Sequence, residues 1–344
     1  MSSPREPQDN PAPDALLLNV RNLHVHFAVY GGRLKVLDGV DFSMRRGERV
    51  GLVGETGCGK TTMMKAILRV LPTPPAKIPE GEIFFNGRDV LKMGDKDLRQ
   101  VRGRGISMIF QDPTAALNPV FNIGQQVETV IRSSAAPGKG LSNQQIHQRA
   151  VASLQEVALA DPERLLRSYP IQLSGGMRQR VCIGMALSTR PEILIADEPG
   201  TSLDVTIQDQ VLRLLSRLVE EKNTSVILIT HSLGIVRETT DRVYVMYAGN
   251  IIEVAQTSQL FANPMHPYTQ GLISTVPRLT GGGIAGGIPG RIPDYLNPPP
   301  GCRFHTRCPH VMDVCRQAKP PLYGKDAHRV ACFLYRDGEE ERKR

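Results

Sequence analysis

No tryptophan occurs in the chain, so intrinsic indole fluorescence cannot report ligand binding. No apolar run approaches the ~18 residues needed to cross a bilayer as a helix, which leaves a helical membrane span out of the expected architecture. The opening Met1-Ser2-Ser3-Pro4-Arg5-Glu6-Pro7 lacks the apolar segment of a secretory signal, so a cytoplasmic setting is expected. With Pro11 and Pro13 following, residues 1-15 read as a disordered N-terminal tail. A massed basic block is also missing. The net charge is +8, but 42 Lys and Arg are interspersed with 34 Asp and Glu, so no nucleic-acid partner is expected. Nor is the phosphate-loop motif described next repeated. The chain has 344 residues, 40% of them hydrophobic, enough for one large domain and an appendage.

What is present begins with Gly54-Glu55-Thr56-Gly57-Cys58-Gly59-Lys60-Thr61-Thr62, directly after the apolar run Arg49-Val50-Gly51-Leu52-Val53. This fits G-x-x-x-x-G-K-[ST], a strand feeding a phosphate-binding loop. Glycines let the backbone curl until several N–H groups face one anion, and the following helix adds the positive end of its dipole. Lys60 is placed to reach the β- and γ-phosphates of ATP, and Thr61 to offer a hydroxyl to Mg²⁺, while Thr62 supports the loop. A second constellation closes the run Glu192-Ile193-Leu194-Ile195-Ala196 with the carboxylates Asp197 and Glu198. An uninterrupted apolar stretch of this length predicts a buried parallel strand with acids at its C-terminal tip. Asp197 is read as holding Mg²⁺ through water, and Glu198 as orienting the hydrolytic water.

Between these lies Leu173-Ser174-Gly175-Gly176-Met177-Arg178-Gln179-Arg180, a hydroxyl and free N–H groups at a predicted helix start. In this position, ahead of the acid-tipped strand, it resembles the signature of ATP-binding cassette (ABC) ATPases, with Met177 where many members have Gln. Further elements follow in the family's order. Gln111 in Met108-Ile109-Phe110-Gln111-Asp112-Pro113 resembles the glutamine that touches Mg²⁺ or the attacking water, Ser202-Leu203-Asp204 the D-loop, and His231 the switch histidine. The resemblance implies that Ser174, Gly175 and Gly176 of one subunit complete the ATP site of another. It also implies an aromatic residue stacked on adenine. Phe27 has the better spacing, Tyr30 is the rival, and either could instead be a packed strand residue.

The tail narrows the resemblance. Asn263-Pro264-Met265-His266-Pro267-Tyr268-Thr269, a linker around Gly281-Gly282-Gly283 and Gly286-Gly287, and Pro298-Pro299-Pro300-Gly301-Cys302-Arg303-Phe304 resemble the C-terminal extension of ATP-binding subunits of bacterial dipeptide and oligopeptide importers, a group that includes nickel importers. Gln111-Asp112-Pro113-Thr114-Ala115-Ala116-Leu117-Asn118-Pro119 is similar to the same group. Four of the six cysteines, Cys302, Cys308, Cys315 and Cys332, fall here with spacing C-x5-C-x6-C-x16-C. Such clustering in a cytoplasmic chain favours metal over disulfides, and four thiolates suit zinc or iron and sulfur alike. The resemblance favours a 4Fe-4S cluster, with structural Zn²⁺ as the alternative. Cys58 and Cys182 lie outside the set and read as packing thiols.

The expected fold is α/β: the ABC ATPase fold, with a parallel-sheet RecA-like core, an N-terminal antiparallel β-subdomain, a helical signature subdomain and a small Cys-rich C-terminal extension. Residues 16-262 form the ATPase domain, the helical subdomain falls at about 115-175, and 263-344 form the extension. Short antiparallel strands are expected from Leu16 to Met44, a strand pair turning at Asn86-Gly87, a parallel strand Ile106 to Phe110, and helices from Asn122 to Tyr169 broken at Pro137-Gly138-Lys139-Gly140. The resemblance implies an ATPase that powers import of di- or oligopeptides from the cytoplasmic face of the inner membrane, as a peripheral subunit. Its implied partners are a second, different ATPase subunit (a homodimer being the alternative), two membrane permeases and an extracytoplasmic solute-binding protein. Other readings are the same role for nickel or another small solute, a soluble ABC ATPase acting on DNA or ribosomes, and a metal-sulfur regulatory protein that ATP merely switches.

Overall fold

The computed structural model describes residues 16–134, 140–201, 203–275, 287–324 and 327–336. The expected tail 1-15, Pro137, Gly138 and Lys139 of the helix interruption, Ser202 of the D-loop element, and Gly281, Gly282, Gly283 and Gly286 of the linker lie outside the described residues. Two long strands, β1 (Leu16–Val29) and β2 (Gly32–Arg45), come first. β3 (Arg49–Val53) leads through the phosphate loop to α1 (Lys60–Ile67). Short strands β4 (Ala76–Lys77), β5 (Glu82–Phe85) and β6 (Arg88–Asp89) precede α2 (Asp95–Gln100) and β7 (Ile106–Ile109). Helices α3 (Pro113–Ala116), α4 (Ile123–Ser133), α5 (Asn143–Glu156), α6 (Pro162–Arg167) and α7 (Gly175–Ser188) follow. Next come β8 (Ile193–Asp197), α8 (Val205–Lys222), β9 (Ser225–Ile229), α9 (Leu233–Thr239), β10 (Arg242–Tyr247) and β11 (Asn250–Gln256). The C-terminal part carries α10 (Thr257–Ala262), α11 (Pro267–Ser274), α12 (Asp313–Gln317) and β12 (Arg329–Val330).

These elements fall into two compact units. The first takes the described residues of Met1–Arg46, Val50–Leu91 and His231–Arg344, and the second those of Gly47–Arg49 and Lys92–Thr230. The extension thus belongs to the first unit, with the phosphate loop.

In the first unit, one sheet has the order β2-β1-β5-β6, with β4 also on β1. β1 and β2 are each 14 residues, longer than the short strands expected. The reason is visible in the register. Leu18, Val20, Leu23 and Val25 are all buried, yet the step from 20 to 23 breaks the two-residue period. A register shift there, with Asn22 at φ +45°, absorbs the extra residue and keeps the apolar face inward. Asn86 and Gly87, both at positive φ, turn β5 into β6 as expected. Elsewhere in this unit β3 runs parallel to β10, while β11 pairs antiparallel with both β10 and β12. The core beside them joins Val53, Val243 and Val245 to Tyr247, Tyr268 and Phe304. Two of those aromatic rings come from beyond residue 262, so the extension shares this core.

In the second unit β7, β8 and β9 pair in parallel. β8 and β9 are buried at every position, which their apolar runs, residues 193–196 and 226–229, favour. β7 ends at Ile109, so Phe110 stands past the strand and is partly exposed. Helices α4 and α5 begin with capping boxes built on Asn122 with Gln125 and on Ser142 with Gln145. His147 of α5 ties three helices together, its Nδ1 3.0 Å from Glu128 of α4 and its Nε2 3.2 Å from Glu163 of α6.

The hydrogen bond to Glu128, followed by Glu163, raises the His147 pKa above its ordinary 6.5 against the opposing effect of burial. The folded chain therefore holds this proton more tightly than the unfolded chain, so the stabilisation is complete below the unfolded pKa and is lost as pH rises through the folded value. Because the ring is about half exposed, the effect stays under about 1 kcal/mol. Followed by circular dichroism, the thermal midpoint of the parent protein should decline as pH rises above about 6.5, and His147→Gln should remove that decline.

Candidate active site

The phosphate loop lies in the first unit. Gly54, Gly57 and Gly59 all have positive φ, at +151°, +84° and +109°. At Gly54 space decides as well as conformation, since a Cβ there would stand 2.1 Å from the Met246 carbonyl oxygen and 2.9 Å from the Cys58 sulfur. Gly59 is the N-cap of α1 in the left-handed conformation, with no side-chain cap, so the first turn of that helix keeps its dipole end open toward the loop. Lys60 is buried at 5% exposure. Its Nζ donates to the Gly54 carbonyl at 2.7 Å and the Glu55 carbonyl at 3.1 Å, folding the ammonium over the loop. Cys58 is buried, and burial pushes its thiol pKa up against the pull of Lys60. Thr61 and Thr62 follow in the first turn of α1.

Glu55 is where the loop meets the rest of its unit. Its N–H donates to the Tyr268 hydroxyl at 2.8 Å, and its carboxylate receives both arms of the Arg307 guanidinium at 2.9 and 3.0 Å. Tyr295 donates its hydroxyl hydrogen to the Gly57 carbonyl at 2.8 Å. These three partners were not among the residues expected at the site. They stand 213 to 252 positions away in the chain, in a region without a phosphate motif, so no local pattern marks them. Phe27 sits in β1 opposite Leu34 of β2 and Ala76 of β4 and is half-buried, whereas Tyr30 is fully exposed at the turn that follows. His231, also in this unit, is exposed just ahead of α9.

The acids lie in the second unit. Asp197 ends β8 opposite Ile229 at 3% exposure, and Glu198 follows at 9%. Glu198 adopts φ +46°, a conformation that costs a non-glycine residue about 1–2 kcal/mol. Its N–H donates to the Ile229 carbonyl at 2.8 Å, and its own carbonyl accepts from Gly200 at 2.7 Å, which holds the turn. The carboxylate Oε2 receives the Gln111 amide at 2.9 Å and the Thr201 hydroxyl at 3.1 Å. Gln111 and Glu198, 87 residues apart in sequence, are thus brought into direct contact. Ser174 is the N-cap of α7 and accepts from the Met177 N–H at 3.3 Å. Gly175 and Gly176 pack close to Leu203 and Ile207, where a Cβ would come within 3.3 and 3.0 Å. Asp204 caps α8 by accepting from the Ile207 N–H at 3.0 Å. The start of α7 and the start of α8 therefore meet inside one unit.

Cys302, Cys308, Cys315 and Cys332 all face one small cavity in the first unit, together with His305 and His310. All six cysteines are free thiols. Gly301, at φ +71°, lets the chain pass under the Cys315 carbonyl, 2.4 Å from where a Cβ would lie. Burial, with the neighbouring sulfurs adding to it, pushes the thiol of Cys302 up to about 11 and that of Cys332 up to about 12. Desolvated in this way, the Cys302 and Cys332 thiols stay protonated unless a cation takes the place of the protons. The donor chemistry suits a thiolate-bound group. However, among the described residues no three His, Cys, Asp or Glu side chains are set to hold a metal ion, so the expected metal site is not closed. Cys182, on α7, is likewise buried, and burial raises its thiol pKa to about 12.

Residues 37–201 match the family model described as "ABC transporter", and residues 252–315 match "Oligopeptide/dipeptide transporter, C-terminal region". The chain is 45% identical over 321 residues to the dipeptide transport ATP-binding protein DppD of Bacillus subtilis, covering 92% of this chain and 94% of that one. It is 42% identical over 319 residues to the oligopeptide transport ATP-binding protein OppD of Escherichia coli, covering 92% and 93%. Among solved structures, the dimeric post-hydrolysis state of the ATP-binding cassette MJ0796 bound to ADP and Pi superposes with a TM-score of 0.62 at 26% identity, over 70% of this chain and 98% of that one.

The close approach at Gly54 gives a direct test. Gly54→Ala must displace the Met246 carbonyl or the loop, and affinity for a fluorescently labelled ATP analogue is expected to fall by at least about ten-fold, with helix content by circular dichroism unchanged.

Proposed function

From the premise that the chain belongs to the family of ABC transporter ATP-binding subunits of the oligopeptide/dipeptide type, we propose that it is the ATP-hydrolysing subunit that powers import of di- and oligopeptides through a membrane transporter. The observation that carries the catalytic part is the Glu198 carboxylate, held at the tip of a buried strand by Gln111 and Thr201. Phosphoryl transfer needs positioned groups and charge stabilisation more than covalent chemistry. The roles assigned follow from that need. Lys60 neutralises the β- and γ-phosphates, while backbone groups of the phosphate loop cradle them. Glu198 orients the attacking water, assisted by Gln111, and His231 adds charge stabilisation at the γ-phosphate. Thr61, Asp197 and Gln111 offer oxygen donors of the hard kind that Mg²⁺ prefers, and the ion would neutralise charge on the phosphate oxygens. Phe27 is assigned to the adenine ring, with Tyr30 as the alternative.

Ser174, Gly175, Gly176 and Asp204 are assigned to the neighbouring subunit's nucleotide. One chain then supplies only half of each site. The partner is taken to be a second, different cassette, with a second copy of this chain as the alternative. Two permeases and a solute-binding protein complete the assembly, and the chain acts as a peripheral subunit on the cytoplasmic face of the membrane. Among the described residues no helix is long and apolar enough to cross a membrane. The peptide transporters among the relatives do not favour nickel as cargo.

Glu198→Gln keeps the shape of the side chain and one acceptor oxygen for Gln111 and Thr201, but replaces the other oxygen with an N–H donor and removes the basicity. In the reconstituted complex with its binding protein, this change should lower ATP turnover by about 10²–10⁴-fold while ATP remains bound, and unchanged turnover would remove Glu198 from this role. For the extension, we assign Cys302, Cys308, Cys315 and Cys332 to a 4Fe-4S cluster that would pin this loop-rich segment, with Zn²⁺ as the alternative. Protein purified without oxygen should contain iron and acid-labile sulfide, both lost in Cys308→Ser; stoichiometric zinc without sulfide would identify the alternative.

A further inference from the structure

From the extension, the guanidinium of Arg307 reaches the phosphate loop. Its side chain is only 5% exposed. Two of its N–H groups go to the Glu55 carboxylate, and the other three go to the Pro289 carbonyl at 2.8 Å, the Ile288 carbonyl at 3.0 Å and the Tyr247 hydroxyl at 3.3 Å. Every donor of the fork has an acceptor, so the group has one orientation. What it orients is the second residue of the phosphate loop. Glu55 passes the restraint on through its own backbone, because its N–H is fixed by Tyr268 and its carbonyl is one of the two that hold Lys60. Two residues further on, Tyr295 fixes the Gly57 carbonyl. Tyr295 is in turn anchored, its carbonyl accepting from the Lys35 N–H of β2 at 2.8 Å. Three groups from the extension thus hold the loop at two points.

The loop cannot supply this rigidity itself. It contains three glycines at positive φ, and glycine has the greatest backbone freedom to lose. A phosphate cradle works only if its N–H groups and its lysine already point at the anion when the ligand arrives. We propose that Arg307, with Tyr268 and Tyr295, is a positioning residue for the phosphate loop, so that the cysteine-rich extension sets the affinity of this subunit for ATP. The proposal rests on the reading of residues 54–62 as the ATP loop, and it adds to that reading a function for the extension at the nucleotide.

The test uses the full-length chain, a labelled ATP analogue for binding, and the reconstituted transporter for kinetics. Arg307→Ala is expected to raise the dissociation constant and the KM for ATP roughly ten-fold with kcat changed less than about two-fold, because preorganisation acts on binding rather than on the chemical step. Arg307→Lys, which keeps the charge and loses the fork, should recover only part of the affinity. Tyr295→Phe deletes a single hydroxyl, leaves packing intact and should raise the dissociation constant roughly three-fold; it stands in if Arg307→Ala does not fold. Lys319→Ala is the control, since Lys319 ties the same extension to Asp38 at 3.5 Å without touching Arg307, Tyr268 or Tyr295. It should lower the thermal midpoint slightly without changing affinity for ATP. The proposal is overturned if folded Arg307→Ala or Tyr295→Phe binds ATP as the parent does, or if Lys319→Ala weakens binding to the same extent. Lys60→Ala separates the two claims. If it abolishes binding while the extension variants do not, only the positioning role fails; if it leaves binding intact, the reading of the loop itself is wrong.

Discussion

Close backbone approach at the phosphate loop is the constraint from which the nucleotide-binding half follows. Gly54 lies so near the Met246 carbonyl that no side chain fits, and the loop then turns through two further glycines into a helix whose first residue is Lys60. A chain that curls this tightly turns backbone dipoles toward a common point, which side chains alone could not do as compactly. The same freedom that permits the curl makes the loop floppy in isolation. Its environment must therefore supply the stiffness, and the contacts at Glu55 and Gly57 supply it.

The second unit solves a different problem, that of fixing a carboxylate at the tip of a buried strand. A parallel strand buried on both faces ends in Asp197, and the backbone then enters an unfavourable conformation at Glu198. Strain of this kind persists only where neighbours over-determine it. Here the neighbours are the Ile229 carbonyl, the turn through Gly200 and the paired donors Gln111 and Thr201. Ser174 and Asp204 each cap the helix they precede. One hydroxyl or carboxylate thus satisfies a helix end and fixes the direction in which that end points.

The extension is the part whose role the fold changes most. Read alone, it is a loop-rich segment of four cysteines in need of a metal to hold it together. In the structure it puts Tyr268 and Phe304 into the core around Tyr247, the two rings packing edge-to-face at 5.5 Å. Its stability therefore has an apolar source besides any thiolate chemistry. Glu253, fully buried, adds a polar anchor by accepting from the Met265 and His266 N–H groups and pairing with His328 at 2.7 Å. The extension thus shares a core with the strands that flank the phosphate loop.

The sequence by itself determined the elements whose physics is local. Glycine spacing before Lys60, an unbroken apolar strand ending in two acids, and a Ser-Gly-Gly helix start each carry their chemistry within a few residues, so the loop, β8 and α7 were legible, as was the Asn86-Gly87 turn. Although their pairing with each other and with β9 came from the structure, the parallel strands β7 and β8 were also legible, because strands buried on both faces have no polar side to show. The length of β1 and β2 was not, since a bulge that resets the register hides the alternation on which strand reading depends. Only the tertiary structure decided which groups meet across long separations: Gln111 with Glu198, and Arg307, Tyr268 and Tyr295 with the phosphate loop. An ion pair between residues 252 positions apart has no period and no motif; it exists because packing the extension onto a shared apolar core brings one guanidinium to one carboxylate, and nothing along the chain encodes that distance.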